Sequence, residues 1–494
     1  MIWWLQDRYI DLLEPFKPWV MRIPVTLRYK LITLCFMADI LLFGIVRFVL
    51  DRGSYIYNTI LGIILMMIIA VLSLDKGGLK RVHWRRSVWI AWFGMCAVFT
   101  ASDILVAKSV CGLGLVLAFV FTMVFFVWQN NSRRDLLWEC FKKSVRISFI
   151  VMSLVSFLFR PMYEGVRYSG IFTNPNTFGL YLFIIFSVFM SDLDWEVVTG
   201  MRMRKCIRTY FCIALVLFYL SASQSRTAML AVGMIFFMWV VFKVQRAVKT
   251  HAWRSFLKNV LGVICFSVAL FPVFRLGAVH IPDILNTPLV FEGEDLYLSD
   301  GGKIYDYGEM IVKEGADDIE RVMEKEEGRE DLMLPSSPDN VWERFFSVLE
   351  NIDGINAITS GRIGIYKGYI RNLNYEGHSF ISLMVDGSRE SHAHNNWLQF
   401  GYTYGYFGML FYAIVTVLGV GMSIKFYIKR SRKNLSYAFL IPAICVGFLV
   451  ATLTECLFLP FEVFPAFAYW FSFGDIFVKK VPKNRMLAVI EGED

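Results

Sequence analysis

Residues 55–74, "YIYNTILGIILMMIIAVLSL", decide the class of fold. These 20 residues contain no Asp, Glu, Lys or Arg. As a helix rising about 1.5 Å per residue, such a run crosses the roughly 30 Å hydrocarbon core of a bilayer. It ends at "DKGGLKRVHWRR", residues 75–86, where Lys76, Lys80, Arg81, Arg85 and Arg86 crowd together. An apolar run closed by a knot of bases reads as a membrane span reaching its cytoplasmic edge.

The pattern repeats outward from this stretch. Apolar runs recur at 31–50, 88–102, 109–128, 145–160, 177–191, 207–222, 227–244, 257–275, 401–424, 436–456 and 461–478. Hydrophobic residues form 56% of the 494-residue chain, and its mean hydropathy is +0.51. The expected fold is therefore an all-α polytopic membrane protein with about 12 transmembrane helices. Residues 1–30 would form a cytoplasmic or interfacial segment rich in Trp3, Trp4 and Trp19, with no apolar core and cleavage site of a signal peptide. Spans 1–9 would occupy 31–275, a long loop 276–395, spans 10–12 residues 396–478, and a tail 479–494.

Charge sets the orientation. Basic clusters at 75–87, 129–146, 202–208, 243–258, 425–433 and 479–485 alternate with short loops almost free of bases. The positive-inside rule then puts both termini in the cytoplasm and the 276–395 loop between spans 9 and 10 outside. That loop carries 10 Lys/Arg against 23 Asp/Glu, a net of −13 in a chain of net +8. The positive excess therefore belongs to cytoplasmic loops facing anionic lipid, and nucleic acid is excluded as a partner. Much of the acid sits in an insert at 291–335, which reads as a solvated surface and lacks the ordered spacing of a calcium loop. The nine cysteines fall in spans or cytoplasmic loops, so no disulfide framework is expected.

A few polar residues on the outer side break the trend. Arg160 and Arg167 flank "GIFTNPNTFG" (170–179), in which Asn174 and Asn176 surround a helix-starting proline. The pair Ser225-Arg226 follows a span, and Arg362 lies in "SGRIGIYKGY" (360–369). Interfacial arginines either snorkel to lipid phosphates or meet an anionic ligand, for whose oxygens the planar guanidinium fork is well shaped. Where the long loop re-enters the membrane stands "SHAHNNWLQFGYTYGYFG" (391–408). Its residues read as a wet helix start capped by Asn395, as a metal site through His392 and His394, or as a general base at His394. The metal reading finds no cysteine and no third ligand pattern beside it, so no metal or cofactor is assigned. Gly401, Gly405 and Gly408 allow close backbone approach on the following helix.

Together these stretches resemble the O-antigen ligase and O-antigen polymerase superfamily of bacterial surface-polysaccharide assembly. The resemblance rests on His394-Asn395 followed by nine residues and Gly405, on "GIFTNPNTFG", on Ser225-Arg226 and on "SGRIGIYKGY", in that family's order. Gly377-His378-Ser379 departs from the Gly-x-Gly often found between the loop arginine and the histidine, and the acidic insert has no placed counterpart. The resemblance implies a metal-independent, inverting glycan transferase of the bacterial cytoplasmic membrane with an outward-facing active site. Its donor would be a polyprenyl-diphosphate-linked glycan and its acceptor a glycan or lipid-linked hydroxyl. Membrane lipid and other polysaccharide-assembly proteins would be its partners. His394 would be the base, Arg226 and Arg362 would grip the diphosphate, and Arg160, Arg167, Asn174, Asn176, Ser225 and Asn395 would bind substrate. A polysaccharide flippase or other transporter and a membrane-bound O-acyltransferase are the rival readings, and ligase and polymerase differ only in acceptor.

Overall fold

The computed structural model describes residues 2–41, 55–109, 112–163, 165–172, 174–199, 203–251, 253–286, 362–385, 388–430, 435–461 and 463–478, with the short pairs 296–297 and 303–304. The chain opens with α1 (Ile2–Leu13), α2 (Lys17–Arg22), α3 (Val25–Leu41) and α4 (Tyr55–Leu72). Next come α5 (Arg86–Leu105), α6 (Leu113–Asn130), α7 (Arg134–Phe159), α8 (Pro175–Val198), α9 (Met203–Ser223), α10 (Arg226–Thr250) and α11 (Trp253–Ile284). The short α12 (Ile363–Arg371) precedes α13 (Asn396–Arg430), α14 (Leu440–Ala451) and α15 (Phe464–Ile476). Among the described residues, strands occur only in two antiparallel hairpins, Leu296–Tyr297 with Lys303–Ile304 and Leu383–Val385 with Ser388–Glu390.

Seven of the described helices, α5, α6, α8, α9, α10, α11 and α13, are long and apolar enough to cross a membrane. The architecture is that of an all-α, multi-pass membrane protein, with fewer such helices than the about 12 that hydropathy predicts. The expected span 145–160 is the second half of α7, whose Lys142, Lys143 and Arg146 leave no long stretch poor in charge. Runs 436–456 and 461–478 form helices of only 12 and 13 residues. At about 1.5 Å per residue neither spans the hydrocarbon core alone. Their hydrophobicity serves another purpose: every residue of α15 is buried. Trp470 meets Trp92 edge-on at 5.6 Å, and Phe471 meets Trp128 at 4.4 Å and 85°. Such aromatic pairs contribute about 0.5–1.5 kcal/mol each beyond area burial. The run 55–74 is helical as α4, with an apolar described portion at Thr59–Leu72. Residues 42–50 of the first expected span, most of the acidic insert and the 479–494 tail lie outside the described residues. The first residues of the segment assigned to 276–395 are helical, since α11 continues to Ile284.

Ion pairs mark one end of the helical bundle. Arg134 pairs with Asp475 at 3.3 Å, Lys142 with Asp192 at 2.9 Å, and Lys243 with Asp194 at 2.6 Å. Tyr427 donates to the same Asp194 at 3.0 Å. These residues stand early in α7, late in α8, α10, α13 and α15. The opposite end of the bundle is joined by different contacts. The backbone N–H of Tyr168 donates to Ala222 O at 3.0 Å, that of Met162 to Ala278 O at 3.1 Å and that of Asn396 to Thr452 O at 3.0 Å. The polar residues singled out above gather at this second end, away from the base-rich turns.

Candidate functional site

The site is built on the loop that follows α14. The helix stops at Thr452, and residues 452–459 turn across the start of α13. Asn396, fully buried, holds them there: its Nδ2 donates to Leu457 O and Tyr412 Oη, both at 3.1 Å, and its Oδ1 accepts from the Leu457 N–H at 2.6 Å. Leaving one such buried polar partner unpaired costs about 1–3 kcal/mol, so this register is strongly specified. Asn395 works on both sides of the junction. Its Oδ1 accepts from the N–H groups of Trp397 and Leu398 at 2.9 and 3.1 Å, capping α13, while its Nδ2 donates to Leu453 O at 3.0 Å.

This stapling brings Glu455 to His394. Glu455 Oε2 lies 3.6 Å from His394 Nδ1, just beyond ordinary hydrogen-bond length, and Oε1 accepts from Arg362 Nη2 at 3.1 Å. Arg362 Nη1 donates to Thr454 O, and Tyr366 Oη donates to His394 O at 3.3 Å. All three ionisable side chains are largely shielded, 11% exposed for Glu455, 16% for Arg362 and 23% for His394. Burial pushes the Glu455 carboxyl up, but the contact with His394 and the charge of Arg362 outweigh it and hold the group below its ordinary range. His394 itself has a left-handed backbone, φ 48°, a conformation uncommon outside glycine and associated with functional sites. Its Nδ1 is buried with no hydrogen-bond partner among the described residues.

Thr454 ties this group to α10. Its hydroxyl lies 2.6 Å from that of Thr227, one residue beyond Arg226, which is exposed at the first position of α10. Ser225 is fully buried, and a Cβ on Gly179 would come within 2.7 Å of its Oγ. It serves packing between the starts of α8 and α10. Arg167 donates through Nε to Ser223 O at 3.0 Å and through Nη2 to Asn176 Oδ1 at 2.6 Å. The Asn174 side chain caps α8 by accepting from the Asn176 N–H at 2.7 Å. Arg160, buried, donates to Gly170 O at 2.7 Å. The structure thus unites His394, Arg362 and Asn395 around Glu455 and Thr454. A neighbouring cluster holds Arg160, Arg167, Asn174 and Asn176, whose side chains brace their own loop.

The glycine that closes the His-Asn spacing has a definite task. Gly405, with φ 75° and ψ 178°, interrupts α13. A Cβ there would lie 2.2 Å from Tyr375 O, because the 374–378 turn inserts at the break and Asn374 O accepts from the Tyr406 N–H at 2.9 Å. The expected close approach is therefore a helix break. His378, the middle residue of Gly377-His378-Ser379, stacks on Tyr402 at 4.0 Å and 10°, and its Nδ1 lies 2.8 Å from Tyr402 O.

Glu455 and Thr454 escaped the sequence reading because both lay within a run taken as a span. An acid inside an apolar run was the available signal. Glu455 also corrects the absence of a third metal ligand: His392, His394 and Glu455 present ligand atoms within 4.8 Å of one another.

Comparison with known proteins adds no relative: no family model and no curated protein matches the chain.

Proposed function

We propose that the chain is an O-antigen ligase- or polymerase-like glycan transferase, carrying a glycan from a polyprenyl-diphosphate carrier to a hydroxyl acceptor. It works at the outer face of the bacterial cytoplasmic membrane, with both termini in the cytoplasm. The observation that carries the reading is the His394–Glu455–Arg362 group, set at the bundle end remote from the basic turns and beside the start of α10. The described residues of the four stretches that carry the family resemblance lie at this same end.

Glu455 faces His394 Nδ1 and favours the tautomer protonated there, which leaves Nε2 to accept a proton. The acceptor hydroxyl gives its proton to Nε2 as its oxygen bonds to the anomeric carbon of the donor sugar. The bond from that carbon to the diphosphate oxygen breaks on the opposite face, its electron pair leaves with the polyprenyl diphosphate, and the configuration inverts. Charge developing on the diphosphate is met by Arg226 and the N-terminal end of α10. Arg362 has five N–H donors, and its two bonds to the 454–455 loop leave part of its fork for a phosphate oxygen. Arg160 and Arg167 support substrate by fixing the 160–178 loop.

The test is purified protein with a polyprenyl-diphosphate-linked oligosaccharide and a glycan acceptor. Release of free polyprenyl diphosphate that depends on acceptor supports the reading. Carrier that stays glycosylated in the presence of folded protein and acceptor counts against it.

A further inference from the structure

We propose that His392, His394 and Glu455 form a binding site for a divalent transition-metal ion, best matched by zinc, and that its occupancy blocks transfer. The blockade rests on the transferase reading, whereas the binding does not. Two imidazoles and one carboxylate are a zinc donor set with a fourth position open, and a single oxygen ligand is too few for calcium or magnesium.

The donors are close to coordinating distance before any ion arrives. Metal–ligand bonds of about 2.0–2.1 Å at the tetrahedral angle put two donors about 3.3 Å apart. His394 Nδ1 and Glu455 Oε2 are 3.6 Å apart, and all three ligand atoms lie within 4.8 Å. The left-handed backbone of His394 brings its ring to 4.2 Å from that of His392, although the two residues are only two apart in sequence.

The supporting bonds also suit a metal. His392 Nδ1 lies 2.7 Å from Ser391 Oγ, a contact that orients the ring beside His394. Arg362 occupies Oε1 of Glu455, so Oε2 is the oxygen offered. His394 Nδ1 is buried and lacks a hydrogen-bond partner among the described residues, an arrangement that a bound cation would satisfy.

Binding and base catalysis exclude each other through one imidazole. A neutral ring has a single nitrogen lone pair. Once zinc takes it at Nδ1, the ring proton resides on Nε2, and no lone pair remains to receive the acceptor's proton. His392 has no part in the transfer itself, so it separates the two roles.

The experiment titrates zinc into untagged, purified full-length protein against a chromophoric chelator, in parallel with acceptor-dependent carrier release. Wild type should bind one zinc per chain and lose transfer as the site fills. His392→Ala should bind zinc at least about tenfold more weakly, as expected for a lost ligand. It should transfer normally without zinc and resist inhibition. Glu455→Gln should weaken zinc binding too, which guards against a His392 variant that misfolds. Zinc bound equally by wild type and both variants overturns the site. Zinc bound by wild type alone, with transfer unaffected, overturns the blockade. If no transfer is seen from wild type, the transferase reading fails while the binding arm still judges the site.

Discussion

Replacing Glu455 with glutamine separates the carboxylate's charge from its shape. The glutamine oxygen can still accept from Arg362, now at 3.1 Å from the carboxylate, but the charge facing His394 Nδ1 at 3.6 Å is gone. Arg362 keeps its charge, so its bond to the glutamine oxygen stays in the class worth about 1.5–3 kcal/mol, and the folded protein should lose only about 1 kcal/mol. Glu455→Ala removes the oxygen as well and strands a largely buried guanidinium, a change of the class that costs about 3–5 kcal/mol. On the rate, Glu455 acts through His394 and cannot cost more than the base itself supplies, about 10²–10⁴-fold. The glutamine variant should therefore melt near wild type in detergent yet turn over far more slowly. Its kcat should fall while KM for the donor holds, and the loss should not add to that of His394→Ala. Thermal melting and carrier release on the same preparations measure both. Wild-type turnover by Glu455→Gln would refute the role given to the carboxylate.

Gly405→Ala would place a Cβ 2.2 Å from Tyr375 O in a backbone region essentially reserved for glycine, strain of about 1–3 kcal/mol before the clash is counted. Its melting temperature in detergent should drop clearly, whereas substitution at the open Gly421 should leave it near wild type. At Asp75, burial pushes the carboxyl up, but bonds from Ser132 and from the Lys76 N–H prevail and hold it below its ordinary range. Its stabilisation is therefore present at neutral pH and lost as pH falls through the folded value, below about 4. Asp75→Asn should flatten melting temperature against pH in that acid window. Topology is open to cysteine labelling after the nine native cysteines are replaced. A cysteine at Lys303 should react with an impermeant reagent on intact cells and one at Lys80 should not, while the reverse would invert the proposed orientation.

The membrane class was legible because apolar length is a strong signal: α5, α6, α8 to α11 and α13 all fall on expected spans. Hydropathy overcounted at α14 and α15, since burial in protein and burial in lipid select the same residues, and only length separates them. The apolar last half of α7 misled for another reason: it continues a helix whose first half carries Lys142 and Arg146, paired with Asp192 and Glu139. At the site, the spacing from His394 to Gly405 was readable, though not that Gly405 breaks the helix to admit the 374–378 turn. Asn395 proved to be both cap and staple. The arginines at 160 and 167 read as anion ligands by type and side, and in the fold they also donate to Gly170 O, Ser223 O and Asn176 Oδ1. Which partner an arginine finds depends on tertiary contacts that no local pattern encodes. Glu455 offered a local signal as an acid inside an apolar run, but its partner His394 stands 61 residues away along the chain.

The most direct test of the central claim compares His394→Ala with His392→Ala in one reaction of purified protein, carrier-linked donor and acceptor. The two imidazoles are neighbours in space, with ring centroids 4.2 Å apart, so local disturbance is similar and only the assigned role differs. His394→Ala should lose about 10²–10⁴-fold in turnover while still binding the carrier-linked donor, and metal-free His392→Ala should keep its rate. Normal turnover by folded His394→Ala would contradict the claim.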